Sequence, residues 1–184
     1  DAQRRMIRGR YRLDDGTELT VFNGYFPQGE GRDHPTKFPA KEAFYQDLLR
    51  TLQEEYDPSA CIAVMGDFNI APVDNDIGIS ADAKQRWLRA GKSSFLPEER
   101  EWFSRLTEWG LIDSWRTLHP AVNDRFSWFD YRSKGFEDVP KRGLRIDHIL
   151  VTQPLFERIT ASGIDYDIRA MEKPSDHCPV WIDI

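Results

Sequence analysis

Six uncharged residues, Ala60-Cys61-Ile62-Ala63-Val64-Met65, run straight into Gly66-Asp67-Phe68-Asn69. The run is too short for a helix, holds β-branched members and is cut off by a glycine, so it reads as a buried strand. Gly66 lets the backbone turn at its end, and Pro72 stops a helix from starting at once. Asp67 and Asn69 therefore stand two positions apart at the C-terminal end of a buried strand, an oxygen-rich corner. There Asp67 can take a proton from water or hold a hard cation, and Asn69 can hydrogen-bond a phosphate. Asp and Asn are also common turn residues, and on their own these two decide nothing.

The flanking stretches supply both strands and helices. Residues 4–13 alternate basic and apolar side chains, Asp14-Asp15-Gly16 is a turn signal, and alternation resumes over 17–22, which together read as a β-hairpin. A Gly/Pro-punctuated loop, Gly24-Tyr25-Phe26-Pro27-Gln28-Gly29, follows; Tyr25 there reads as packing at a strand end, with a phosphate contact as the alternative. From 38 to 56 the apolar residues Phe44, Tyr45, Leu48, Leu49, Leu52 and Tyr56 fall at helical spacing opposite a charged face. Residues 82–90 read as a short helix with a basic, solvated face. Residues 97–109 read as a cleaner one: Pro97 suits the first turn, Glu98 and Glu99 complement its dipole, and Gly110 ends it. Between them, 73–79 is a loop whose acids, Asp74 and Asp76, read as solvated. Strands are expected over 143–151 and 179–184.

Two features carry chemistry. Phe126-Ser127-Trp128-Phe129-Asp130-Tyr131-Arg132 reads as a strand with aromatics on both faces, and the residues leave open whether one face is exposed for stacking or the segment covers the core. Lys141, Arg142 and Arg145 add positive charge around the next turn. Asp147 lies in apolar company, where a carboxylate is costly unless paired; Asp176-His177, ahead of the last strand, supplies a partner, and an Asp-oriented His is a common catalytic pair. His148 points to the opposite face of its strand and reads as structural, while His34 and His119 read as surface residues.

At 184 residues the chain matches one domain with a real core. A net charge of −6 and a pI near 5.3 argue against a passive nucleic-acid coat, which needs a large cationic surface, but not against an enzyme that clusters carboxylates around a metal. Cys61 and Cys178 give neither a disulfide framework nor zinc spacing, and free thiols in a reducing compartment are expected. No secretion signal or membrane-spanning run is visible, so no membrane partner is expected.

Taken together, Asn23-Gly24-Tyr25-Phe26-Pro27-Gln28-Gly29, Gly66-Asp67-Phe68-Asn69, Trp87-Leu88-Arg89 through Pro97-Glu98-Glu99-Arg100, the aromatic segment 126–132, Leu144-Arg145-Ile146-Asp147 and Ser175-Asp176-His177 resemble the exonuclease III family, the abasic-site (AP) endonuclease branch of the endonuclease/exonuclease/phosphatase superfamily. The resemblance runs along essentially the whole chain. It implies an α/β fold, a four-layer αββα sandwich. It also implies a divalent-metal-dependent DNA phosphodiester hydrolase of base-excision repair, digesting double-stranded DNA 3′ to 5′ and cutting at abasic sites, in a bacterial-type cytoplasm. By the same resemblance Asp67 activates water with help from Asn69, Asp147 holds and polarises His177 on the scissile phosphate, and Tyr25 contacts the phosphate or leaving group. Asp176, with Asp67 and Asn69, holds Mg²⁺ or Mn²⁺. Trp128 and Phe126 probe the space of a flipped-out abasic sugar, which costs less to extrude than a stacked nucleotide, and Arg132 and Arg145 add DNA contacts.

One departure is large. The family's first strand with its Asn-bearing motif, and its Gln-Glu-Thr motif with a metal-ligating Glu, do not occur here, and residue 1 is Asp. The expectation is a single domain, 1–184, that is N-terminally incomplete. Two consequences are expected: weakened metal binding and turnover, and an uncovered sheet surface that favours a homodimer. The competing expectation is a DNA-binding module that cuts little or not at all.

Overall fold

In the computed structural model, residues 3–184 are described. The hairpin forms from β1 (Met6–Arg12) and β2 (Glu18–Tyr25), antiparallel, with Gly16 at φ 85° in its turn and Asp15 accepting the Thr17 N–H. After α1 (Lys37–Glu55) the apolar run becomes β3 (Cys61–Asp67), central in a five-stranded sheet ordered β1-β2-β3-β5-β4. The remaining elements are α2 (Ala81–Arg89), α3 (Pro97–Trp109), β4 (Leu111–Asp113), α4 (Ser114–Leu118), β5 (Asp147–Thr152), α5 (Gln153–Phe156), β6 (Ala161–Ile164), α6 (Tyr166–Arg169) and β7 (Val180–Asp183).

The period of two along β3 sorts its side chains between two cores. Ile62 and Val64 face α1 and α3, packing with Phe22, Leu150, Tyr45, Leu52, Phe103 and Leu106. Cys61 and Ala63 face the other way, against Val151, Leu155 and the Val180 and Ile182 side chains of a small β6–β7 sheet. The result is a helix layer, a five-stranded sheet and a two-stranded sheet: the α/β class is as expected, but the described residues form three layers of the four-layer sandwich, with two strands in the second sheet. Gly66 (φ 132°) is obligatory where β3 ends: a Cβ there would lie 1.9 Å from the Gly24 carbonyl oxygen.

Three expectations are corrected. Residues 126–132 are not a regular strand. Phe126 and Phe129 both turn into a core with Phe136 and Tyr166, so the segment cannot alternate, and only isolated bridges from Trp128 to Leu144 and His177 remain. Strand β5 is regular only from Asp147, because Arg145, just before it, is tied sideways into an ion network. Asp76 is not solvated; it is fully buried beneath Arg116 and Arg145.

Candidate active site

The sheet register assembles the site. On neighbouring strands Tyr25 pairs with Asp67, and Asp67 with Asp147, so three residues far apart in sequence stand in one line where β2 and β3 end and β5 begins. His177 is brought to that line by its loop, which is stitched by backbone hydrogen bonds from Phe129 N–H to the Asp176 carbonyl and from Cys178 N–H to the Ser127 carbonyl. The Ser127 hydroxyl accepts the N–H groups of Ile146 and Asp147, fixing the start of β5.

His177 Nδ1 lies 2.9 and 3.0 Å from the two carboxylate oxygens of Asp147. Both Asp67 oxygens accept from Asn69, Oδ1 from its backbone N–H at 2.9 Å and Oδ2 from its side-chain Nδ2 at 2.8 Å. Asn69 Nδ2 also donates to the Phe26 carbonyl, and the residue holds a left-handed backbone at φ 54°. Ligand atoms of Asp67, Asp147 and His177 all lie within 4.8 Å of one another.

Two carboxylates share one imidazole, and the electrostatics follow from that. Burial, and after it the charge of Asp147, push the Asp67 carboxyl up to about 7, against the pull of His177, the Asn69 N–H and Lys41. Burial alone would lower the His177 ring; the hydrogen bond and charge of Asp147, with Asp67 and Asp176 behind them, outweigh it and raise the ring to about 9. The arrangement thus favours the protonated ring of His177 and opposes ionisation of Asp67 in the metal-free chain.

These groups open into a cleft of about 550 Å³. Trp87, Lys92, Trp128, Arg132 and Arg142 are among the residues that line it. Trp128 donates its indole N–H to Asp176 Oδ2 at 3.0 Å, and Tyr25 is more than half exposed under the Arg5 guanidinium. Of the expected site residues, Tyr25, Asp67, Asn69, Trp128, Arg132, Asp176 and His177 line this cleft, with Asp147 behind His177. Two expected DNA contacts are overturned. Arg145 is 1% exposed and spent on Asp76 and Asp113, so its guanidinium cannot reach a backbone. Phe126 is 1% exposed in the core. The reading missed Trp87 and Lys92 as a cleft wall. The signal was a tryptophan on a helix that has no buried residue.

A model of the endonuclease/exonuclease/phosphatase family matches residues 3–177. Exodeoxyribonuclease III of Haemophilus influenzae is 61% identical over 183 residues, covering 100% of this chain and 67% of that protein. The chain belongs to this family. Among solved structures, a 3′–5′ exonuclease from Neisseria meningitidis matches with a TM-score of 0.84 at 37% identity, covering 100% of this chain and 66% of its own. An AP endonuclease from Archaeoglobus fulgidus matches at 0.83 and 32%, covering 98% of this chain and 65% of its own. The chain thus spans about two thirds of the length of these relatives.

The family is divalent-metal dependent, and the donors present fit such an ion. Hard cations of this kind take one or two carboxylates and keep several positions for water and phosphate oxygens. Asp67 and Asp176 supply carboxylates on the cleft. Asp67, Asp147 and His177 bring ligand atoms within 4.8 Å of one another there, with His177 Nδ1 already engaged by Asp147.

Proposed function

We propose that this chain is a divalent-metal-dependent DNA phosphodiester hydrolase, removing nucleotides from 3′ ends of double-stranded DNA and cutting at abasic sites, in base-excision repair. The observation that carries this reading is the meeting of Asp67 with an Asp147–His177 pair at one point of a cleft lined by Trp87, Lys92, Trp128, Arg132 and Arg142. Asp67 takes the proton of the attacking water, with its carboxylate fixed by the two Asn69 donors. His177 donates to the phosphoryl oxygens as negative charge builds on them, and Asp147 keeps the ring oriented and charged. The Tyr25 hydroxyl faces the phosphate or the leaving oxygen. Asp67, Asn69 and Asp176 would hold Mg²⁺ or Mn²⁺, which when bound neutralises phosphate charge and makes water more acidic. Trp128 walls the space for an extruded abasic sugar, and Arg132 contacts the DNA backbone.

The net charge of −6 does not oppose this, because Lys92, Arg132 and Arg142 line the cleft alongside its carboxylates. We take residues 1–184 to act as one domain in a cytoplasmic setting. No helix among the described residues is long and apolar enough to cross a membrane. Among the described residues strand β1 is at one edge of the sheet and exposes Ile7 and Tyr11, the surface on which a homodimer would pair.

The test is a labelled duplex with one abasic analogue, incubated with Mg²⁺, with Mn²⁺ and with chelator, alongside the Asp67→Asn variant. Cation-dependent cleavage that the substitution abolishes is the expected result. Binding without cleavage in either cation would overturn it and leave a recognition module.

A further inference from the structure

A second ionic element lies directly behind the site. Lys41, from the second turn of α1, and Glu99, from the first turn of α3, are both fully buried, with Lys41 Nζ 2.6 Å from Glu99 Oε1. Removing two charges from water is costly and, for stability alone, an apolar pair of similar volume does as well. The two helices already have such contacts, with Phe38 and Tyr45 of α1 against Trp102 of α3. Fastening helices therefore does not account for the pair.

Its remaining hydrogen bonds show a pattern. Lys41 Nζ donates to the Asn69 carbonyl at 2.8 Å, to Ser93 Oγ at 2.9 Å and more weakly to the Gln28 carbonyl at 3.4 Å. Glu99 Oε2 accepts the Ser94 N–H at 2.7 Å and the Leu96 N–H at 2.8 Å, while Oε1 accepts the Ser93 hydroxyl. Gln28, Asn69, Ser93 and Ser94 all line the catalytic cleft. Three residues in or beside these segments sit at positive φ without being glycine: Glu30 at 60°, Asn69 at 54° and Ser94 at 121°. Such conformations persist only when their surroundings over-determine them. Asn69 matters most, because its peptide and side chain supply both donors that fix Asp67.

Resting on the hydrolase reading above, we infer that Lys41 and Glu99 are positioning residues of the site: their buried ion pair is a strut that holds the left-handed Asn69, and with it Asp67, in register with the Ser93–Ser94 wall of the cleft. Neither touches substrate. The strut acts through the Asn69 carbonyl on one side and the Ser94 N–H on the other, so its loss loosens geometry in the reacting complex more than it weakens binding.

Single substitutions would leave an unpaired buried charge and test only folding. The informative variant is the double Lys41→Met/Glu99→Gln, which removes both charges, keeps side-chain volume and leaves an amide oxygen to accept from Ser94 and Leu96. Three quantities are measured: kcat and KM on the abasic duplex with Mg²⁺, and amide hydrogen exchange without substrate. Displacement of about 1 Å costs roughly 10²-fold in rate, so kcat should fall by about 30- to 100-fold. KM should stay within about threefold. Exchange at Asn69 and Ser94 should quicken by about tenfold or more, while Leu150 in β5 keeps its protection. A kcat within about threefold of the parent, or unchanged exchange at both amides, overturns the inference. So does loss of protection at Leu150 as well, which assigns the pair to fold stability. A parent chain that cleaves nothing would defeat the hydrolase reading instead, and the exchange measurement would still show whether the strut holds Asn69 and Ser94.

Discussion

Two clusters of buried and half-buried acids meet at the start of β5, and they are neutralised in opposite ways. On the cleft side, Asp67 and Asp147 share a single imidazolium, and Asp67 is raised to about 7. On the other side, Asp76 and Asp113 are met by two guanidinia. Arg145 Nε lies 2.7 Å from Asp76 Oδ1 and its Nη2 reaches Asp113, while Arg116 reaches Asp76 as well. Burial there would raise Asp113, but Arg145 and His148 outweigh it and hold the carboxyl well below the usual range. Adjacent residues serve the two clusters because β5 alternates: Asp147 faces His177, and His148 turns back between Arg145 and the Ile70 carbonyl. A balanced cluster fixes structure; one short of a positive charge leaves a proton free to move, which is what hydrolysis requires.

Removing one charge from each cluster should therefore have opposite effects on the fold. Asp67→Asn is expected to lower the cleavage rate by about 10³- to 10⁴-fold, the upper range for a general base. It should also stabilise the metal-free chain by ~1–3 kcal/mol, because it removes a carboxylate that burial penalises. Arg145→Met, by contrast, strands two buried carboxylates and should cost about 3–5 kcal/mol of stability. Urea denaturation of both variants near pH 8 checks the signs. A destabilised Asp67→Asn, or an unaffected Arg145→Met, would break the contrast.

The pH dependence sharpens it. His177 is raised from 6.5 to about 9, so its contribution to stability is fully present below 6.5 and is lost as pH rises through 9. Asp67 is raised from 3.8 to about 7, so its folded form favours the proton and the associated stability is lost as pH rises through 7. Asp113 is depressed, so its contribution is present above 3.8 and is lost only as pH falls below that toward its own low value. The metal-free chain should accordingly lose stability in two steps, one from Asp67 between pH 3.8 and about 7 and one from His177 between pH 6.5 and about 9, and Asp67→Asn should erase the lower step. Cation binding near pH 7 should release protons from Asp67 in the parent and fewer in the variant, measurable by calorimetry in buffers of different ionisation heat.

How much of this was legible beforehand depends on whether the cause was local. Strand β3, helix α3 and the hairpin are written in local periodicity, a Pro at a helix start and Asp-Gly turn chemistry, and the structure has them within a few residues. Asp147 announced itself as a charge in apolar company that needed a partner, and His177 is that partner. The same argument applied to Asp76 was missed, because polar neighbours in a loop gave no sign that it would be buried. Arg145 suffered the converse error: a cation near a motif reads as a DNA contact until a distant acid, 69 residues away, is seen to hold it. Phe126 and Trp128 sit two apart in one aromatic run, yet one is core and the other cleft wall. Only the tertiary packing of Phe136 and Tyr166 decides which.

The smallest expected effect concerns Asp176, the acid that lies between the two regimes. It faces the cleft, yet one of its oxygens is occupied by the Trp128 indole N–H. Trp128→Phe keeps an aromatic wall and deletes that hydrogen bond. A bond from a neutral donor to a charged acceptor contributes roughly 1.5–3 kcal/mol at most, and less at a partly exposed site. If Asp176 works by being held in place, cation affinity should fall by about three- to tenfold, with DNA affinity in the absence of cation unchanged. The reverse outcome, intact cation affinity with weaker binding of abasic DNA, would mean that Trp128 acts through the face of its ring alone and that Asp176 needs no orienting partner. The site would then contain a carboxylate freer than either cluster at β5, and the rule that balance fixes structure while deficit frees a proton would hold for the strand but not for the loop that carries His177.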